Sequence, residues 1–217
     1  MAFLRNYWYA GGWAAEIAEV PFARTILNEA VVFFRRTDGS LAAIEDRCCH
    51  RALPLSMGLV VGDNIQCGYH GLEFDGAGDC VRIPGQSRIP PGASVKSYPV
   101  IEKWNVAWIW MGDPALADEA EIPDVWWLDH PDWTPVMGCL HMKANYQLLV
   151  DNLMDFTHVS YLHTKTIAGD ANEGLVGVDT TRDGDRVTVG RWMLDIPPPP
   201  MFVAAGGFTG NVDRWQI

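Results

Sequence analysis

A chain of 217 residues, 48% hydrophobic and 20% charged, can bury one large core or two modest ones and is too apolar for disorder. Its formal net charge of −11 excludes nucleic acid as a partner, since phosphate binding needs clustered Lys and Arg, while suiting a basic redox partner. No run of about 18 apolar residues occurs and Met1–Ala10 lacks the leucine-rich core of a signal peptide, so a cytoplasmic protein with no membrane partner is expected.

Ten tryptophans and fourteen prolines favour strands and loops over a helical bundle. From Asn6 to about Asp113, short β-like runs alternate with turns. Arg24–Leu27, Ala30–Arg35, Leu41–Glu45, Asn64–Gln66 and Val106–Met111 read as strands, with turns at Thr37-Asp38-Gly39 and Asp75-Gly76-Ala77-Gly78. These spacings suit a small antiparallel sandwich or barrel. Acidic, Pro-punctuated sequence between Asp113 and Asp132 marks a domain boundary. Beyond it, Val136–Asn145 is expected to be a strand, Gln147–His163 a helix, Thr188–Leu194 a strand and Pro197–Pro200 an extended loop. Val212–Ile217 resembles an opening strand, which suggests truncation.

The five cysteines are an odd number without a secretory signal, so metal or redox roles take priority over disulfides. Cys80 and Cys139 read as small buried hydrophobes. The chemistry concentrates in two loops, Arg47-Cys48-Cys49-His50-Arg51 and Cys67-Gly68-Tyr69-His70-Gly71, with sixteen residues between His50 and Cys67. A Rieske [2Fe–2S] cluster puts two thiolates on one iron and two imidazoles on the other, which two loops donating one Cys and one His each can supply. Zinc is the alternative, although its sites more often group like donors together. Gly68 and Gly71 would let a loop wrap tightly and direct backbone N–H groups at cluster sulfides.

The second constellation is Asn152, Asp155, His158 and His163. On a helix, Asp155 and His158 lie about 60° apart and share a face, as do Asn152 and Asp155. His158 and His163 lie about 140° apart, so both reach one metal only if the helix bends or ends between them. Two histidines and a carboxylate make the facial triad of mononuclear Fe(II). Two satisfied histidines on a partly buried helix are the bland alternative.

The first constellation resembles the Rieske motif of the ring-hydroxylating and O-demethylating oxygenases, except that Cys49 stands where that family commonly has Pro. Cys49 is read as an oxidation-sensitive bystander. The second resembles the family's iron-binding segment. The resemblance extends to Asn6-Tyr7-Trp8-Tyr9, Leu72-Glu73-Phe74-Asp75, Trp108–Pro114 and Leu149–Asp155, and is nearest to the vanillate and dicamba demethylase branch. It implies a mainly β, α+β fold, with residues 1–115 a Rieske β-sandwich domain and 116–217 the N-terminal part of a helix-grip catalytic domain.

The resemblance further implies that His158 and His163 bind iron, that Asn152 lies near it, and that Asp155 bridges to the Rieske histidine, His70, of a neighbouring copy in a homotrimer. The third ligand is expected downstream. Asp170, Asp179, Asp183, Asp185, Asp195 and Asp213 are candidates by type, none in family-like surroundings, which places the ligand beyond Ile217. The implied reaction is monooxygenation of a methoxylated aromatic acid with O₂, giving a hemiacetal that collapses to a phenol and formaldehyde. Electrons would come from NADH through a flavin and iron–sulfur reductase, as this chain has no Gly-x-Gly-x-x-Gly after a strand. A ring cis-dihydroxylating dioxygenase and a Rieske electron carrier without its own catalysis are the competing readings.

Overall fold

The computed structural model describes residues 3–169 and 171–217. The chain divides into two compact units, the first ending at Gly138 and the second running Cys139–Ile217.

The first unit contains β1 (Trp8–Trp13), β2 (Phe22–Ile26), β3 (Glu29–Arg35), β4 (Leu41–Glu45), β5 (Leu59–Val61), β6 (Asn64–Gln66), β7 (Glu73–Phe74), β8 (Cys80–Arg82), β9 (Ser97–Tyr98), β10 (Val100–Lys103) and β11 (Val106–Trp110). They form three antiparallel sheets, ordered β1-β11-β10, β2-β3-β4-β9 and β5-β6-β7-β8. The middle sheet has a core on each side. Val32 and Phe34 of β3, with Ala42 and Ile44 of β4, meet Ile65, Phe74 and the cysteines Cys48, Cys67 and Cys80. Val31, Phe33, Leu41 and Ala43 point the other way, onto Ala107 and Ile109 of β11. Double-sided burial explains why residues 31–34 are a continuous apolar run rather than an alternating one.

The outer face of β11 carries Trp108 and Trp110, which pack with Trp8 and Ile122. Here the acidic Pro-rich segment serves as a cover: Trp8 Nε1 donates to the Asp118 carbonyl at 2.7 Å and Asn105 Nδ2 to that of Leu128 at 2.7 Å. Its proline breaks leave short 3-10 turns, two of them capped by Asp113 and Asp118 side chains that accept from the amide two residues on.

The second unit contains α1 (Tyr146–Met154), α2 (Val159–Leu162), β12 (Asp179–Asp183), β13 (Arg186–Ile196), α3 (Pro200–Gly206) and β14 (Val212–Gln216), with the strands in one antiparallel sheet β12-β13-β14. Pro197–Pro199 form the loop the sequence implies, and Pro200 opens α3, where its missing N–H costs nothing. The mainly β, α+β class expected from the sequence is what the structure has.

Three local expectations are corrected. Residues 134–142 are not a strand: Val136 and Leu140 are 91% and 93% exposed, because among the described residues no strand edge pairs with them. Gln147–His163 is two helices rather than one. Asp155 is extended (φ −92°, ψ 101°), and its Oδ1 captures the Thr157 amide at 2.8 Å and hydroxyl at 2.6 Å, so a local side-chain turn outcompetes the helix. Cys139 is exposed, whereas Cys80 is buried as expected.

Candidate metal centres

The two loops that carry Cys48 and Cys67 close in the same way. The Cys48 amide donates to the Leu53 carbonyl at 2.9 Å and the Ala52 amide returns to the Cys48 carbonyl at 2.9 Å. In the second loop the Cys67 amide donates to Leu72 at 2.8 Å and the Gly71 amide to Cys67 at 3.0 Å. Each lasso thus sinks its cysteine into the core, at 3% and 2% exposure, and lifts its histidine to the surface. The imidazoles of His50 and His70 meet edge to face with centroids 4.6 Å apart.

Glycines permit this closeness. A Cβ on Gly58 would stand 1.9 Å from the Gln66 carbonyl oxygen, and one on Gly68 would stand 2.8 Å from that of Met57. The short turn at Leu55–Met57 can therefore lie against the second loop. Asp46 reinforces it, accepting from the Ser56 amide and hydroxyl at 2.7 Å each.

Burial, above all, pushes the Cys48 thiol up to about 11, the Cys67 sulfur beside it adding to the rise while the amides of His50 and Arg51 donate to Cys48 and oppose it. A metal bound here has to displace protons from the thiols, and those amides are already placed to support a thiolate. Cys49 is exposed, and its thiol is raised by burial and by the Cys67 charge. Together with His50 and His70 it lines a cleft of 550 Å³ walled by Pro84, Pro90 and Pro91.

Two buried sulfurs with two outward imidazoles fit a binuclear cluster. A tetrahedral zinc ion would draw all four donors to one point. Among the described residues no group of three or more His, Cys, Asp or Glu side chains does so.

The second unit brings the other histidines together. His158 precedes α2 and His163 follows it, and their rings stand 5.4 Å apart at 66°. The helix ends just before His163 (φ −111°, ψ 23°), which is how residues five apart converge on one side. Asp155 Oδ2 lies 3.9 Å from His158 Nδ1, with the Asp155 side chain 51% exposed. The Thr157 hydroxyl and amide, with a smaller contribution from His158, hold the Asp155 carboxyl below its usual range. Asn152 is exposed on α1, one turn before Asp155. Two imidazoles on one side, with a carboxylate 3.9 Å from one of them, fit a divalent iron with open positions. Of the carboxylates considered from sequence, Asp170 lies outside the described residues, and Asp179, Asp183, Asp185, Asp195 and Asp213 do not join the two histidines in a group.

Sequence reasoning passed over three buried ionic residues beside these histidines: Glu173 (side chain 0% exposed), Arg191 (1%) and Arg214 (11%). The available signal was Arg191, an inward-facing cation within the otherwise apolar run 189–194.

Comparison with known proteins follows this division. Residues 7–99 match the Rieske [2Fe-2S] domain and residues 142–217 the vanillate O-demethylase oxygenase C-terminal domain. The chain is 47% identical over 99% of its length to the toluene-4-sulfonate monooxygenase system iron-sulfur subunit TsaM1 of Comamonas testosteroni, covering 63% of that protein. It is 41% identical over its whole length to the dicamba O-demethylase oxygenase component of Stenotrophomonas maltophilia, covering 64%. A vanillate O-demethylase oxygenase subunit of Pseudomonas sp. (strain HR199 / DSM 7063) is 41% identical over 99% of the chain, which covers 62% of it. Among solved structures, dicamba monooxygenase bound to 3,6-dichlorosalicylic acid superposes with a TM-score of 0.88 at 38% identity, over 99% of this chain and 64% of that one. The chain spans a little under two thirds of these relatives' length.

Proposed function

Because the chain belongs to the Rieske non-haem iron oxygenase family, we propose that the protein is the terminal oxygenase of a monooxygenase system that O-demethylates a methoxylated aromatic acid, taking electrons from an NADH-dependent flavin and iron–sulfur reductase in the cytoplasm. The carrying observation is that one chain holds both a two-cysteine, two-histidine site and a second histidine pair with an adjacent carboxylate. An electron carrier needs only the first.

In this reading Cys48, His50, Cys67 and His70 hold the [2Fe–2S] cluster, and His158 and His163 hold the mononuclear iron, with Asn152 near it. The bound iron supplies oxygen activation at its open positions. The chain's own residues orient and gate. Asp155 Oδ2 faces His158 Nδ1 at 3.9 Å, beyond direct hydrogen-bond reach, and its exposed carboxylate would accept a hydrogen bond from His70 of the partner subunit in a homotrimer. The Thr157 hydroxyl and amide favour the charged form of Asp155 further. The cluster would belong to the first unit and the mononuclear iron to the second; the boundary near residue 115 read from sequence falls before the segment 116–138, which packs with the first unit.

Purified protein given reductase, NADH and O₂ should release formaldehyde from a methoxybenzoate. Cluster reduction without turnover of any aromatic acid would overturn the proposal in favour of a carrier. The 47% identity to the sulfonate system subunit supports a second reading, in which the substrate is a methylated arenesulfonate. Toluene-4-sulfonate in the same assay separates the two, since its hydroxylation consumes NADH without releasing formaldehyde.

A further inference from the structure

The buried ions Glu173, Arg191 and Arg214 grip the histidine segment at both ends. After His163, the chain turns back so that the Thr166 and Ala168 amides donate to the His163 carbonyl at 2.9 and 3.1 Å. This turn is tied to the sheet at two points. Arg214 Nη1 donates to the Ile167 carbonyl at 3.2 Å, and Glu173 accepts from the Gly169 amide at 2.6 Å. Arg214 Nη2 closes the loop by reaching Glu173 at 2.7 Å.

Arg191 braces the opposite side. It donates to the Glu173 carbonyl at 2.7 Å and to Gln216 Oε1 at 2.9 Å, and its guanidinium lies 5.9 Å from the ring centroid of Phe156, two residues before His158. Strand register puts these groups on one sheet face, because Arg191 pairs with Gln216 and Met193 with Arg214. Gly169 has no room to move outward: a Cβ there would stand 2.2 Å from the Pro197 carbonyl oxygen.

We propose that Glu173, Arg191 and Arg214 form a preassembled clamp that fixes the spacing of His158 and His163 and so sets the affinity of the mononuclear site for Fe(II). They are positioning residues, and the proposal rests on the reading of those two histidines as iron ligands. The argument is geometric. His158 and His163 flank α2 as its two end residues; the His163 amide still donates to the Val159 carbonyl at 3.0 Å, but its carbonyl lies past the helix and is held by the turn that the clamp pins. A carboxylate buried this deeply persists only where donors satisfy it, and here those donors come from both the histidine turn and the sheet.

The test uses the intact, cluster-bearing protein and three readouts: Fe(II) affinity by chelator competition, the electron paramagnetic resonance of the ferrous nitrosyl, and the cluster resonance as internal control. Arg214→Lys keeps the charge but cannot reach both Ile167 and Glu173, and Glu173→Gln keeps an acceptor for Gly169 while losing the charge. Both should bind Fe(II) 10–100-fold more weakly with an altered nitrosyl spectrum and an unchanged cluster signal. Folded variants with Fe(II) affinity within about twofold of the parent would overturn the clamp. If either variant does not fold, amide exchange in the iron-free parent decides: the Gly169 amide should already be protected, and exchange at the rate of an open loop would sink the idea. His163→Ala separates the premise, for if it leaves Fe(II) binding intact the ligand reading itself has failed.

Discussion

Ala52 occupies in the first cysteine loop the position that Gly71 occupies in the second, and both have positive φ, +57° and +71°. Each donates its amide to the carbonyl of the cysteine four residues before it. A left-handed conformation costs a residue with a Cβ about 1–2 kcal/mol, so the first loop carries a strain that the second avoids. Ala52→Gly should therefore raise the free energy of unfolding by about 1 kcal/mol with the cluster intact. Gly71→Ala should lower it by at least as much, since its new methyl would also sit 3.1 Å from Pro84 Cγ. Denaturant titration of the two variants checks both signs.

Cys49 is exposed beside His50, and replacing it with Ala removes no core packing. The cluster's visible absorption and electron paramagnetic resonance should be unchanged in Cys49→Ala, whereas Cys48→Ala should abolish both. A lost cluster in the Cys49 variant would mean that the second cysteine, not the first, is the ligand.

For Asp155→Asn, both metals should remain bound while turnover falls on the order of 100-fold or more, as expected when a residue that orients a ligand loses its charge. Iron content and formaldehyde release measure the two effects separately. Loss of iron at the histidine site would show instead that Asp155 is a ligand. The wild-type carboxyl lies below its usual range, so its ionisation should contribute no inflection to the pH profile near neutrality.

Glu29 supplies a pH prediction. Burial pushes its carboxyl up, but hydrogen bonds from Lys96, Tyr98 and Arg5 outweigh this and lower it to about 2. A carboxylate with a depressed folded value contributes stability that is fully present above its unfolded value of 4.5 and is lost as pH falls toward about 2. Glu29→Gln should thus cost about 1–2 kcal/mol at pH 7, allowing for its partial exposure to solvent. The cost should shrink steadily when urea melts are repeated at lower pH, and a pH-independent cost would show that the loss is steric.

The first unit was legible where the pattern is short-range. Leu41–Glu45 and Asn64–Gln66 are strands with the bounds the sequence implies, because turns flank them and β-formers fill them. The two-loop donor set was visible for the same reason, each Cys and His being a few residues apart. Illegible features depended on distant partners or on a side chain competing with the backbone. Val136–Asn145 has strand composition without a strand to pair with, and the break at Asp155 comes from one carboxylate taking the Thr157 amide. Glu173 gave no signal, since an isolated acid in a loop reads as solvated until Arg214, forty-one residues on, is folded against it.

Burying the cysteines and exposing the histidines gives the bound cluster a front and a back. At its sulfur end Cys48 and Cys67 are only 3% and 2% exposed, whereas the imidazoles of His50 and His70 face solvent. With the cluster seated as proposed, electron exchange is directed to the imidazole side, so the first unit presents one electroactive face rather than several.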